Sequence, residues 1–461
     1  MTNESQDIPE VAPEIPSPEP ATPQMNVRRS VFAWIVLWSL FGLMVLGQLA
    51  VYLVPAETPA KPAEPSLITE LRSMMMQQRM MEVMTQREDP ENYARNLAKT
   101  REKATVRPPT SESKARLGVL IDREMGKPAD PADVAFLEKS KEAKDKAFLE
   151  LLRTGKTTHD TKGLDALERR IATAYGEGKK GADIRNMIYP DAAVGQVMAG
   201  FAVLIAALGL GFILLVYGGI RYAQGDWKPL RYPDPPPSKV QSDALAGRMV
   251  GYFLIFILVS TSVAVMPDGL DSTVAIVVMM LGILALFVAS FGIPLFGQRI
   301  PFRNVLGRTK GVCKLVGLGA LGWMANLPLA LGFAVVGVTI FSFLPAPSHP
   351  VVSDLANANS PLQILALFLA TAVIVPIHEE LAFRGTLFPG LLPYMKPFAA
   401  MVISALLFAS IHPQGPSLWL SLASVGTMAA FLTYQSGSLI PAISMHAIHN
   451  FSLLMINRLV T

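Results

Sequence analysis

A single cysteine, Cys313, stands among the 461 residues. One thiol excludes an intrachain disulfide, a zinc ribbon and a thiol redox pair. Beside an apolar run, Cys313 reads as a packing residue. Charge is scarce too. Asp, Glu, Lys and Arg make up 16% of the chain, against about 25% in an ordinary soluble domain, which argues against a soluble globular enzyme. The net charge of +4 does not call for nucleic acid as a partner, because the basic residues alternate with acidic ones and form no aromatic-interleaved patch. No repeat of fixed period is present. No serine or cysteine nucleophile stands out: Ser404, Ser410 and Ser444 lack a base and an orienting group, and read as helix-packing residues.

The charge that is present lies unevenly. Residues 55–190 hold 47 of the 76 ionised side chains, while residues 191–461 hold 22 over twice the length. The chain therefore reads as a charged insert joined to an apolar block, and 51% of its residues are hydrophobic. A bilayer core of about 30 Å needs about 20 apolar residues of helix. Nine stretches qualify as candidates: Val31–Val54, Ala193–Tyr222, Leu245–Met266, Thr273–Gly297, Val316–Leu344, Leu362–Phe388, Phe398–Ile411, Leu418–Tyr434 and Ser438–Leu459. The seventh is short for a full span unless neighbours bury it.

Four segments follow. Residues 1–30 are rich in Pro and Glu and read as a disordered tail. Residues 31–54 read as an uncleaved anchor, because the run of 24 exceeds the roughly 7–15 apolar residues of a signal peptide. Residues 55–190 form a charged helical segment, with Asp130-Pro131 as a helix start and the methionines at 74–76, 80, 81 and 84 as helix packing. Residues 191–461 form the polytopic membrane domain. Arg28 and Arg29, the 222–244 loop and the 298–315 loop carry the basic residues; the loops at 267–272 and 345–361 carry none. The positive-inside rule then puts the N-terminus in the cytoplasm and the 55–190 segment outside.

The polar residues inside the apolar block are the informative ones. Ionisable groups at membrane depth cost at least about 2.5–3.5 kcal/mol each and signal function by default. Beyond Leu315 only six charged residues remain, and Glu379, Glu380 and Arg384 are three of them. Glu380 and Arg384 sit at i,i+4 and can pair; Glu379 points about 100° away and need not share that partner. A desolvated carboxylate without a full charge partner can serve as a general base. The alternative is an ion cluster that only holds helices together. His412 ends the seventh stretch, where a capping role competes with a functional one. His446 and Asn450 share a face of the last span and could hold a water or an oxyanion, or simply bond between helices. At 1.5 Å per residue, Glu379 and His446 fall at similar depths, and His412 joins them if its helix tilts. His378-Glu379 begins like the zinc motif H-E-x-x-H, but position 382 is Ala and the motif is absent.

Glu379-Glu380-x-x-x-Arg384, Phe408-x-x-x-His412 and His446-x-x-x-Asn450, in that order on consecutive apolar helices, resemble the CPBP family of intramembrane proteases, which includes the type II CaaX prenyl endopeptidases and bacteriocin-processing or immunity relatives. The resemblance covers about residues 315–461. It implies that Glu379 and His412 hold and activate the attacking water, that His446 and Asn450 complete the site as an oxyanion hole, and that Glu380 and Arg384 form the supporting ion pair. Zinc held by Glu379, His412 and His446, with His449 nearby, and a metal-free glutamate mechanism both remain open. The implied substrate is a peptide or lipidated protein, of CaaX type in one branch, and the implied location is a bacterial plasma membrane. The expected fold class is all-α: a polytopic membrane helix bundle of about nine spans, the C-terminal eight forming the catalytic bundle, with a helical extramembrane insert. A non-proteolytic scaffold or immunity protein of the same fold is the competing reading. A proton-coupled transporter would need inverted repeats, and none is visible.

Overall fold

The computed structural model describes residues 27–53, 67–85, 90–104, 111–161, 163–225, 237–264, 272–290, 305–344, 351, 355 and 360–460. Residues 1–26 of the expected disordered tail, and much of the loops used for the charge rule, lie outside the described residues. Among those described, the only β feature is an isolated bridge between Gly307 and Ser438; everything else regular is helix.

All nine apolar stretches form helices. They are α1 (Val27–Leu53), α9 (Asp191–Ala223), α10 (Lys239–Ala264), α11 (Ser272–Ser290), α12 (Val312–Ile340), α13 (Pro361–Leu391), α14 (Pro397–Ser410), α15 (Pro416–Ser436) and α16 (Ile440–Val460). Six of them, α1, α9, α10, α12, α13 and α15, are long and apolar enough to cross a membrane by length and composition. α14 is a shorter apolar helix. α16 is as long as α15 but carries His446, His449, Asn450, Asn457 and Arg458, and it is not among the six.

Local chemistry sets the helix ends. α13 starts in a capping box: Ser360 Oγ accepts from Gln363 N, the Gln363 side chain accepts from Ser360 N, and Pro361 occupies the first turn. Pro397 and Pro416 likewise open α14 and α15, where a missing N–H costs nothing. α15 stops at Gly437, whose φ of 65° suits glycine.

The charged segment folds into its own set of helices: α2 (Leu67–Thr85), α3 (Pro90–Ala104), α4 (Glu112–Glu124), α5 (Pro131–Glu138), α6 (Ala143–Thr154), α7 (Ala166–Gly176) and α8 (Ala182–Ile188). Asp130 caps α5 by accepting from Ala132 N at 2.9 Å, with Pro131 in the first turn. One apolar core joins these helices and includes Leu71, Met75, Leu97, Leu120, Phe148 and Ile171. Full burial of such side chains stabilises by about 1.5–3 kcal/mol each. Met75 and Met76 pack as expected, whereas Met81 and Met84 are exposed. Buried ion networks tie the layers together. Arg116 pairs with Asp145 and Glu168. Glu124 accepts from Tyr93, Tyr175 and Arg185. Burial, followed by the Glu124 charge, pushes both phenols far above the usual tyrosine range.

α9 connects this unit to the membrane helices. At about 1.5 Å per residue its 33 residues reach about 50 Å, well beyond a 30 Å hydrocarbon core. The excess is used: Val194 and Val197 belong to the core of the charged segment, and Asp191 pairs with Arg79 of α2.

Glycines let the membrane helices approach closely, as is usual where lipid supplies no hydrophobic drive for helix association. A Cβ on Gly211 of α9 would fall 1.9 Å from the Met324 carbonyl of α12. One on Gly319 would meet Pro441 of α16 at 2.6 Å, and one on Gly337 would meet the Ser417 carbonyl of α15 at 2.2 Å. α12 is thus the common neighbour of α9, α15 and α16. A second core, with Leu37, Phe41, Phe253, Phe383, Phe388 and Phe408, packs α1 and α10 against α13 and α14. Cys313 corrects an expectation: it is exposed, because the first turn of α12 projects from the bundle and burial starts at Leu315.

Candidate active site

The site is built on α13, which is not a regular α-helix. Two π-helical segments, Ala370–Ile374 and Phe383–Leu387, flank the α-helical turns Val375–Ala382. Single π turns are rare and cluster at functional positions. Thr386 marks the second one by donating its hydroxyl to the carbonyl of Leu381, five residues back. The regular helix expected over 362–388 is corrected here.

His378, Glu379, Glu380 and Arg384 are all buried, Arg384 completely. Arg384 Nη1 donates to Glu380 Oε1 at 2.9 Å. Its guanidinium carbon also lies 4.5 Å from the centroid of the Phe408 ring, a cation–π contact with α14. From α16, His446 Nδ1 lies 2.9 Å from the same Glu380 Oε1, and its Nε2 lies 3.7 Å from Glu379 Oε2. His446 therefore stands between the two carboxylates. A carboxylate oxygen only accepts, so Nδ1 carries a proton, and Nε2 faces Glu379.

His412 sits at the end of α14. Its Nδ1 is 2.7 Å from the Phe408 carbonyl, which places a proton on Nδ1. The His412 and His446 rings pack on the Phe408 ring at centroid distances of 4.4 and 5.7 Å. The two imidazoles are thus no farther apart than the sum of those distances, with Phe408 as their common support. Asn450 shares a face with His446, but its Nδ2 donates to the Thr371 carbonyl at 2.9 Å, in the first π segment of α13. The geometry thus brings Glu379, Glu380, Arg384 and His446 into one connected cluster, sets His412 beside it through Phe408, and commits the Asn450 amide one turn away.

Two residues escaped sequence reasoning. Tyr252 of α10, 2% exposed, has its hydroxyl 3.1 Å from His378 Nδ1. Gly426 of α15 faces Arg384 so closely that a Cβ there would lie 2.7 Å from Nη2. A phenol in the middle of an apolar run was a signal for the first; nothing local distinguishes the second from other helix glycines.

Among the described residues no three His, Cys, Asp or Glu side chains are grouped so that they could hold an ion. The Nδ1 atoms of His412 and His446 lie against protein oxygens, which leaves Nε2 of each as the atom able to meet a ligand.

A bundle of long apolar helices with buried acids and imidazoles at its centre defines a polytopic integral membrane protein with an intramembrane site. Residues 361–452 match the family model described as type II CAAX prenyl endopeptidase Rce1-like. The match contains Glu379, Glu380, Arg384, His412, His446 and Asn450, and excludes α1–α12 with Tyr252. No curated protein and no solved structure matches the chain.

Proposed function

We propose that the chain hydrolyses a peptide bond of a membrane-associated substrate, of prenylated CaaX type, with Glu379 as general base. One observation carries this reading. Glu380 is neutralised by Arg384 at 2.9 Å, while Glu379, one residue away and also buried, has the Nε2 of His446 at 3.7 Å. Of the two buried acids, Glu379 is the one left to take a proton.

Glu379 removes a proton from water as the water oxygen bonds to the carbonyl carbon. The C=O electron pair moves onto the carbonyl oxygen. The tetrahedral intermediate collapses, the C–N bond breaks, and the proton held by Glu379 passes to the leaving amine. The Nε2 atoms of His412 and His446 orient the water, and Arg384 pairs with Glu380. Asn450 braces α16 against α13. A positioned base contributes about 10²–10⁴-fold.

A cavity of about 810 Å³ between α9, α12, α14 and α15 supports a lipidated substrate. Its lining is apolar and includes Leu329, Phe333, Phe398 and Phe431. It lies apart from the acids, so it suits a hydrocarbon chain rather than the reacting bond. The chain is read as residing in a bacterial plasma membrane, N-terminus inside, with residues 55–190 outside.

The test is cleavage of a farnesylated CaaX peptide by the purified protein in detergent. Wild type cleaves, Glu379→Gln does not, and activity survives a chelator because the three side chains form no ligand set. Equal cleavage by wild type and Glu379→Gln overturns the general-base role. A biological activity that persists in that variant favours the scaffold reading.

A further inference from the structure

We propose that His378 is a substrate-touching donor, held by Tyr252, that binds the carbonyl oxygen of the scissile bond. This rests on the proteolytic reading above and adds two residues that the three motifs do not contain.

His412 and His446 each have Nδ1–H bound to a protein oxygen. One N–H of the Asn450 amide is engaged by the Thr371 carbonyl, which leaves its second N–H. An oxyanion needs preorganised donors, and losing one typically costs about 10²–10³-fold in kcat.

His378 has the opposite arrangement. It is 2% exposed, and its Nδ1 lies 3.1 Å from the Tyr252 hydroxyl. A buried hydroxyl must donate somewhere, and Nδ1 is its acceptor among the described residues. Nδ1 therefore carries the lone pair and Nε2 carries the proton. That Nε2–H is buried and has no hydrogen-bond partner among the described residues. A desolvated donor without an acceptor is costly; one residue from the general base, a substrate carbonyl supplies what it lacks. Tyr252 acts through His378: it fixes tautomer and ring orientation from α10 without touching substrate, and is a positioning residue. Phe253 and Phe383 pack edge to face at 6.1 Å beside this pair and keep α10 against α13.

The experiment uses the full-length protein in detergent with a farnesylated CaaX peptide as probe. His378→Asn removes the distal donor, whereas the longer amide of His378→Gln restores an N–H near the Nε2 position. Expected is a fall in kcat of about 10²-fold for His378→Asn with KM within about threefold, and recovery of at least about tenfold in His378→Gln. Tyr252→Phe should lower kcat about tenfold alone and have no further effect in the His378→Asn background. A purely structural role would move both amide variants together. The proposal is overturned if His378→Asn stays within about twofold of wild-type kcat, or if both amide variants are equally impaired. If His378→Asn does not fold, Tyr252→Phe decides: wild-type kcat in that variant overturns the proposal. If wild type cleaves and Glu379→Gln does not while His378→Asn is normal, only the donor role falls. If wild type cleaves no farnesylated or unlipidated CaaX peptide, the proteolytic reading falls, and the donor role with it.

Discussion

Glu380 Oε1 accepts from both Arg384 Nη1 and His446 Nδ1, each at 2.9 Å. One oxygen atom thereby locks two helices, α13 and α16, and aligns the imidazole that faces Glu379.

Arg384→Ala is expected to destabilise the bundle by about 3–5 kcal/mol, the range for removing one partner of a buried pair, because Glu380 is left charged and buried. Thermal melting in detergent reads this as a lower midpoint. Glu380→Leu combined with Arg384→Leu should be markedly more stable than Arg384→Ala alone, because no lone charge remains. Equal midpoints would remove the ion pair from the account.

Glu379→Gln should behave oppositely. It replaces a buried acid by a neutral amide of the same shape, so the melting midpoint stays at or above the wild-type value while cleavage falls by about 10²–10⁴-fold. A loss of folding in step with activity would make Glu379 structural.

Gly426→Val tests the packing behind Arg384. The new Cβ would lie 2.7 Å from Arg384 Nη2 and 3.0 Å from Ala405 Cα, and overpacking of this kind costs about 1–3 kcal/mol. Displacing Arg384 should also lower kcat. Gly332→Ala is the control, since its Cβ meets nothing within 4 Å, and it should leave both readouts unchanged.

The extramembrane helices should unfold in alkali. Tyr93 and Tyr175 are held protonated by burial and by Glu124, so their folded values lie above the unfolded value of about 10. A group raised by folding contributes stability below its unfolded value and loses it as pH rises. Loss of the helical circular-dichroism signal is therefore expected to begin above about pH 10, and to shift upward in Tyr93→Phe. Tyrosinate absorbance appearing well before that loss would contradict the burial of these phenols.

The nine apolar helices were legible as apolar runs, and six of them are long and apolar enough to cross a membrane. The Glu380–Arg384 pair was legible for a similar reason, since four residues is the repeat of a helix face. The 361–452 segment that matches the family model contains those residues. Other features were not legible. The π segments around the Glu-Glu turn arise from packing, not from a residue type that demands them. The exposure of Cys313 depends on where the bundle ends.

The sequence by itself determined that acids and imidazoles would lie within an apolar bundle, because burial of apolar runs needs no knowledge of their partners. Only the tertiary structure decided which oxygen each histidine Nδ1 meets, that Phe408 supports both His412 and His446, and that Tyr252, 126 residues before His378, reaches its ring. Hydrogen bonds and ring contacts act over a few ångströms and require a particular geometry, so residues distant in the chain meet only after the helices have packed.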